Sequence, residues 1–140
     1  MKKWTGLLFA LLLLASCAEL DYTETMLGEN ADIVGTWVEE SREELVTMLE
    51  RAESLDPDKY GFIIREDGAF IERKNAGWCA TPPISYENFE GTWEALSDSL
   101  LEITVGYWGG TMTYQMRILS LDGQSLRIRY LYAGDRAENK

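Results

Sequence analysis

The chain contains no histidine and only two cysteines, Cys17 and Cys79. Without histidine the commonest general base, the Ser-His and Cys-His nucleophile pairs and the commonest metal ligand are all missing. The densest carboxylate groupings are Asp56-Pro57-Asp58 and Glu66-Asp67-Gly68. Neither has the ligand spacing of a calcium loop, and both read as turns. The sequence therefore predicts a protein that is not an enzyme, with no catalytic residue, no metal site and no cofactor. Binding chemistry is better represented. Trp37, Phe62, Tyr86, Trp93, Tyr107, Met112, Tyr114, Met116 and Tyr130 are rings and thioethers at spacings that can share the inner face of a sheet. Such side chains grip flat or flexible apolar molecules, and phenol hydroxyls orient them. These nine are the candidate ligand-binding residues. The same rings would also fill a small barrel without any ligand.

A second group stands apart from that pattern. Trp78-Cys79-Ala80-Thr81-Pro82-Pro83 is stiffened by its prolines and carries an indole and a thiol. Trp78, Cys79, Pro82 and Pro83 form a candidate interaction loop, or a plug for the barrel. A reactive thiol at Cys79 would need a neighbouring cation, for which Arg73 and Lys74 are the nearest in sequence.

The elements that position these residues follow a leader. Lys2 and Lys3 precede an apolar run over 7–14, and Ala15-Ser16 precede Cys17. That run is too short for a finished transmembrane helix and suits the middle of a secretory signal. Leu14-Ala15-Ser16-Cys17 resembles the lipobox of bacterial lipoproteins. The resemblance implies removal of residues 1–16, lipidation of Cys17 and anchoring to a membrane of the cell envelope, expected to be the outer membrane, on its periplasmic or surface face. About 124 residues then remain, enough for one domain with a real core. Losing Lys2 and Lys3 takes the formal charge from −11 to about −13, which opposes binding to nucleic acid or bare anionic lipid. Residues 17–30 form an acidic tether with Glu19, Asp21, Glu24 and Glu29. These acids faintly resemble surface-export signals of some Gram-negative lipoproteins, but a solvated linker is the better reading.

The folded domain is expected over 31–133, with a polar tail at 134–140. The β-forming stretch 33–38 opens it. A helix is expected over 41–55: Ser41 and Glu44 have capping-box form, and Leu45, Met48, Leu49, Ala52 and Leu55 make one helical stripe. From Tyr60 the period changes to two. Strands are expected over 60–65, 69–75, 84–88, 89–96, 100–108, 111–120 and 125–132, with turns at Asp67-Gly68, Gly109-Gly110 and Asp122-Gly123. One face collects the apolar residues; the other carries Glu90, Glu94, Glu102, Thr104, Thr113, Gln115, Arg117, Arg127 and Arg129, read as cross-strand pairs on a wet surface. The fold class is therefore all-β: an antiparallel up-and-down barrel of about eight strands, which leaves no sheet edge, with one helix inserted after the first strand.

Gly35-Thr36-Trp37 is similar to the Gly-x-Trp signature of lipocalins. Phe62 to Phe70 with its Asp67-Gly68 turn, Gly91-Thr92-Trp93, and Ile118-Leu119-Ser120-Leu121 followed by Leu126-Arg127-Ile128 resemble bacterial lipocalin-like lipoproteins. The resemblance covers about 33–132 and implies a calyx holding a small hydrophobic ligand. It further implies that a late-strand arginine, Arg127 or Arg129, packs on Trp37. The Thr-Asp-Tyr motif of the family is missing. Expected partners are the membrane, through acyl chains on Cys17, and either a small hydrophobic ligand or an envelope protein. In the latter case the domain is an interaction module, such as a hydrolase inhibitor or accessory subunit.

Overall fold

The computed structural model describes residues 32–77 and 83–133. Eight strands carry the fold: β1 Gly35–Glu43, β2 Val46–Ala52, β3 Gly61–Ile64, β4 Ala69–Asn75, β5 Tyr86–Ser97, β6 Leu100–Tyr107, β7 Gly110–Leu121 and β8 Ser125–Leu131. They close into an antiparallel barrel in the order β1-β2-β8-β7-β6-β5-β4-β3. The closed all-β barrel agrees with the expectation above and is consistent with a lipocalin-like fold in general. The leader and tether, the lipidation residue Cys17, the loop residues Trp78, Cys79 and Pro82, and the tail 134–140 lie outside the described residues.

The helix expected over 41–55 does not form, and there is no helix among the described residues. The segment folds as the β1–β2 hairpin instead, pairing Ser41 with Met48 and Glu43 with Val46. Glu44 makes the tight turn by adopting φ 51°, and the Ser41 hydroxyl meets the Met48 sulfur across the hairpin at 3.1 Å rather than capping a helix. Tertiary pairing decides the outcome. Without β2, the edges of β1 and β8 would both be left open; with it, Val46 to Glu50 pair along β8 and the barrel closes. Leu49 is then buried at 1% exposure while Leu45 sits in the turn at 69%.

The strand order also departs from a simple up-and-down barrel. β3 to β8 follow one another in hairpin order, but β1 lies between β2 and β3. β2 and β3 are both antiparallel to β1 and so run the same way. Residues 53–60 therefore cross the outside of β1, leaving a groove of about 390 Å³ beside Val38, Glu50 and Leu55. Gly61 ends this crossing where no side chain fits: a Cβ there would lie 2.6 Å from the Trp37 carbonyl and 3.0 Å from Leu55 Cδ2.

The barrel interior is filled. Trp37, Phe62, Phe70, Ile103, Val105, Met116, Leu126 and Ile128 each retain 0% exposure. A void large enough for one water molecule would expose the side chains lining it, so none borders these residues. On the outer wall, Thr104 and Thr113 pair through their hydroxyls at 2.9 Å. The expected opposite-charge pairs do not form there: Glu94 faces Glu102, and Arg117 faces Arg129. Among the described residues the ion pairs are Arg42–Glu39 and Lys74–Glu72. Both sit at the barrel end that holds the β1–β2 and β6–β7 turns, here called the mouth. The opposite end, with the β3–β4, β5–β6 and β7–β8 turns, is the closed end.

Candidate functional site: a carboxylate among tyrosines at the mouth

The side chains of a strand alternate, so Phe70 inside the barrel carries Glu72 and Lys74 onto the same face. Glu72 is 4% exposed and sits where an unpaired charge would be costly. It is fully partnered. Its Oε1 accepts hydrogen bonds from the hydroxyls of Tyr60 at 2.8 Å and Tyr114 at 3.0 Å. Its Oε2 accepts one from Lys74 Nζ at 2.6 Å.

The Tyr130 hydroxyl lies 2.6 Å from that of Tyr60. Tyr60 has one proton, and charge assistance directs it to Glu72. Tyr130 must then donate to Tyr60, leaving its own oxygen as an acceptor at the mouth. Burial, first of all, pushes the pKa values of Tyr60, Tyr114 and Tyr130 well above the phenol range, with the neighbouring charge of Glu72 acting in the same direction. All three remain neutral donors across the physiological range. The rings brace one another, Tyr114 against Tyr130 at 5.5 Å and Tyr60 against Tyr130 at 6.3 Å, both edge to face.

Arg42 stands at the rim, its guanidinium 5.7 Å above the Tyr60 ring and its Nη2 2.7 Å from Glu39 Oε2. Partial burial opposes its charge, but the hydrogen bond and charge of Glu39 outweigh this and raise its pKa. Arg42, Tyr60, Glu72, Lys74, Met112, Tyr130 and Tyr132 enclose a recess of about 190 Å³. This is below the usual 300–1,000 Å³ of a drug-sized pocket and suits a single ring.

The nine expected binding residues divide among several places. Met112 and Tyr130 line the recess, and Tyr114 braces it through Glu72. Trp37, Phe62 and Met116 belong to the packed core. Tyr107 is half-buried at the mouth, 5.8 Å from the Trp108 ring. Trp93 lies toward the closed end, its indole N–H donating to the Arg65 carbonyl at 2.8 Å. Tyr86 pairs with Asn75 and, an odd number of residues from both Phe89 and Trp93, has the opposite parity and takes the outer register. Pro83, the described member of the interaction loop, is exposed. The sequence reading missed Tyr60, Arg42, Glu72, Lys74 and Tyr132. The signal for two of them was present: Phe70, Glu72 and Lys74 share one parity.

The closed end is built differently. Arg51 of β2 stacks on Trp37 with its guanidinium carbon 4.3 Å from the ring centroid. Its Nη1 donates to the Val34 carbonyl at 2.9 Å, Nη2 to Asp32 at 2.6 Å and Nε to Gly123 at 2.8 Å. The expected role of Arg127 or Arg129 therefore falls to Arg51, because those two point outward and are exposed. Gly35 admits the guanidinium: a Cβ there would overlap Arg51 Nη1, and its φ of +144° suits glycine. A recess of about 400 Å³ beside Ile33, Trp93, Leu96 and Leu101 also lies at this end. Its polar lining side chains, Ser97 and Asp98, are exposed at the β5–β6 turn, and no buried polar side chain converges on it as Glu72 does at the mouth. Among the described residues, no group of three or more Cys, Asp or Glu side chains is placed to hold a metal. No family model, curated protein or solved structure matches this chain.

Proposed function

We propose that this protein is a lipid-anchored component of the cell envelope that binds a small, partly apolar molecule at the mouth of its barrel. The observation that carries this reading is the buried Glu72 network beside an open recess of about 190 Å³. A carboxylate, a lysine and three tyrosines ordered at the edge of a filled core give the convergent polar groups that small-molecule sites use. The filled interior moves the ligand from mid-barrel to the mouth. The anchor is proposed from Lys2-Lys3, the apolar run and Ala15-Ser16-Cys17. Because β1 begins at the closed end, a tether from Cys17 joins the barrel opposite the mouth. Stable anchoring takes more than one acyl chain, as lipoprotein processing supplies.

Native mass spectrometry of the protein from its own envelope tests ligand binding: a co-purified small molecule is expected, and its loss in Tyr130→Ala places it at the mouth. Metabolic labelling with a fatty-acid analogue tests the anchor, and labelling that persists in Cys17→Ser would remove that part. A second reading, an interaction module, is favoured by one observation. Leu45, Ile84, Trp108 and Tyr132, exposed at 69%, 48%, 56% and 49%, all lie at the mouth end. Apolar side chains gathered around one rim mark a docking surface more often than scattered ones do. Recovery of a protein with no small molecule would favour it.

A further inference from the structure

Resting on the mouth as the binding site, we infer that its ligand is a small monocarboxylate carried on a single flat ring or a chain of similar bulk. The recess is lined by two cations, Arg42 and Lys74, against one anion, Glu72. Counting Glu39, which pairs with Arg42, the four charges balance, so the recess offers cationic hydrogen-bond donors rather than a net positive charge.

Depth decides which charge a ligand meets. The Glu72 side chain is 6% exposed, Lys74 19% and Arg42 48%, so the carboxylate lies deepest and the cations stand above it. Glu72 already accepts from Tyr60, Tyr114 and Lys74. Lys74 uses one of its three N–H bonds on Glu72, and Arg42 uses Nη2 on Glu39. The unspent hydrogen-bonding capacity beside the recess is therefore mainly donor, on two cations each fixed from behind by its own carboxylate. Fixed cations with spare N–H bonds are what a carboxylate requires, and arginine offers it a planar fork.

The body of the ligand is set by the remaining walls. Tyr130 and Tyr132 lie with ring centroids 6.4 Å apart and 28° between planes, and Met112 closes the recess with an adaptable thioether. An apolar cavity of about 150 Å³ holds one benzene ring, so about 190 Å³ takes a ring with one small substituent. A long acyl chain has nowhere to go, because the core below is filled. An ammonium ligand would need the charge of Glu72, where the Lys74 ammonium already sits.

Isothermal titration of the full protein with benzoate, benzamide and benzylamine, which share a ring and differ in charge, tests this. Benzoate should bind about ten-fold or more tighter than either analogue, and weaken as salt rises. Arg42→Gln, at an exposed position whose loss should spare the fold, should weaken benzoate by about ten-fold and leave benzamide unchanged. Lys74→Met should weaken it too, but its buried partner makes misfolding a competing explanation, so Arg42→Gln is decisive. Equal binding of benzamide, tighter binding of benzylamine, or an Arg42→Gln variant that holds benzoate as before overturns the anion assignment and leaves the mouth as the site. Binding of none of the three overturns both.

Discussion

Each end of this barrel is organised around an inward charged side chain packed with aromatic residues, Arg51 at one and Glu72 at the other, and the two charges are spent in opposite ways. At the closed end Arg51 points its guanidinium at backbone carbonyls of Asp32, Val34 and Gly123 and lies flat on Trp37. It joins the chain before β1 to the β7–β8 turn and seals the core. At the mouth Glu72 turns inward to hydroxyls and an ammonium, and the groups around it leave a recess. A charge bonded to backbone serves closure. One bonded to side chains, which can rearrange or exchange partners, can serve recognition.

The largest expected difference between the ends is their response to alkali. Tyr60, Tyr114 and Tyr130 keep their protons in the folded protein well above pH 10, while tyrosines of the unfolded chain lose theirs near 10. The folded state then holds more protons, so stability is fully present below about pH 10 and falls as pH rises through 10 toward the folded values. Each hydroxyl contributes up to about 1.4 kcal/mol per pH unit in that window. Thermal unfolding between pH 8 and 11 should show this loss, and a flat profile would mean that the network is not buried as described.

Arg51→Met should come next, costing about 3 kcal/mol, since several charge-assisted hydrogen bonds and a cation–π contact go together. Urea unfolding measures it. The variant should keep the alkaline slope, which belongs to the other end.

Tyr114→Phe should cost about 1.5 kcal/mol, one hydrogen bond to a buried charge, and should also flatten the alkaline slope. Combined with Arg51→Met, its effect should add within about 0.5 kcal/mol, because the two ends share no partner. Strong coupling would show that closure and mouth are one unit.

The sequence makes the regular half of the barrel readable and hides the half where charge turns inward. In β6, β7 and β8 the inner faces run Leu101-Ile103-Val105, Met112-Tyr114-Met116-Ile118 and Leu126-Ile128-Tyr130, so alternation alone places them. β2 defeats that reading. Its inner positions are Thr47, Leu49 and Arg51, two of them polar, while Met48 and Ala52 on the other face complete a false helical stripe with Leu49. A spacing of four suits a helix and a strand equally, so Leu45 and Leu49 could not discriminate. The turn added to the confusion by using Glu44 at positive φ instead of glycine or asparagine. β4 hides the mouth in the same way: Glu72 and Lys74 look like solvent-facing charges until Phe70 sets the parity. Tyr86 faces outward because β5 runs unbroken across the boundary expected between residues 88 and 89, which fixes its phase opposite to that of Phe89 and Trp93. The inward charges are what local pattern cannot show, since most of their partners are distant in sequence: Tyr60 and Tyr114 for Glu72, and Asp32, Val34 and Gly123 for Arg51.

The account rests on the mouth, and not the middle or the wall, being where a ligand is taken. The methionines report on each place separately: Met112 lines the recess, Met116 lies in the core at 0% exposure, and Met48 faces outward on β2 beside Ser41. With methionine methyl groups labelled with carbon-13, nuclear magnetic resonance follows all three during titration with a mixture of small aromatic acids, amides and amines. The account predicts that the Met112 methyl signal shifts in a saturable way while those of Met116 and Met48 stay within their unliganded linewidths. A saturable shift of Met116 or Met48 with Met112 unmoved would contradict it.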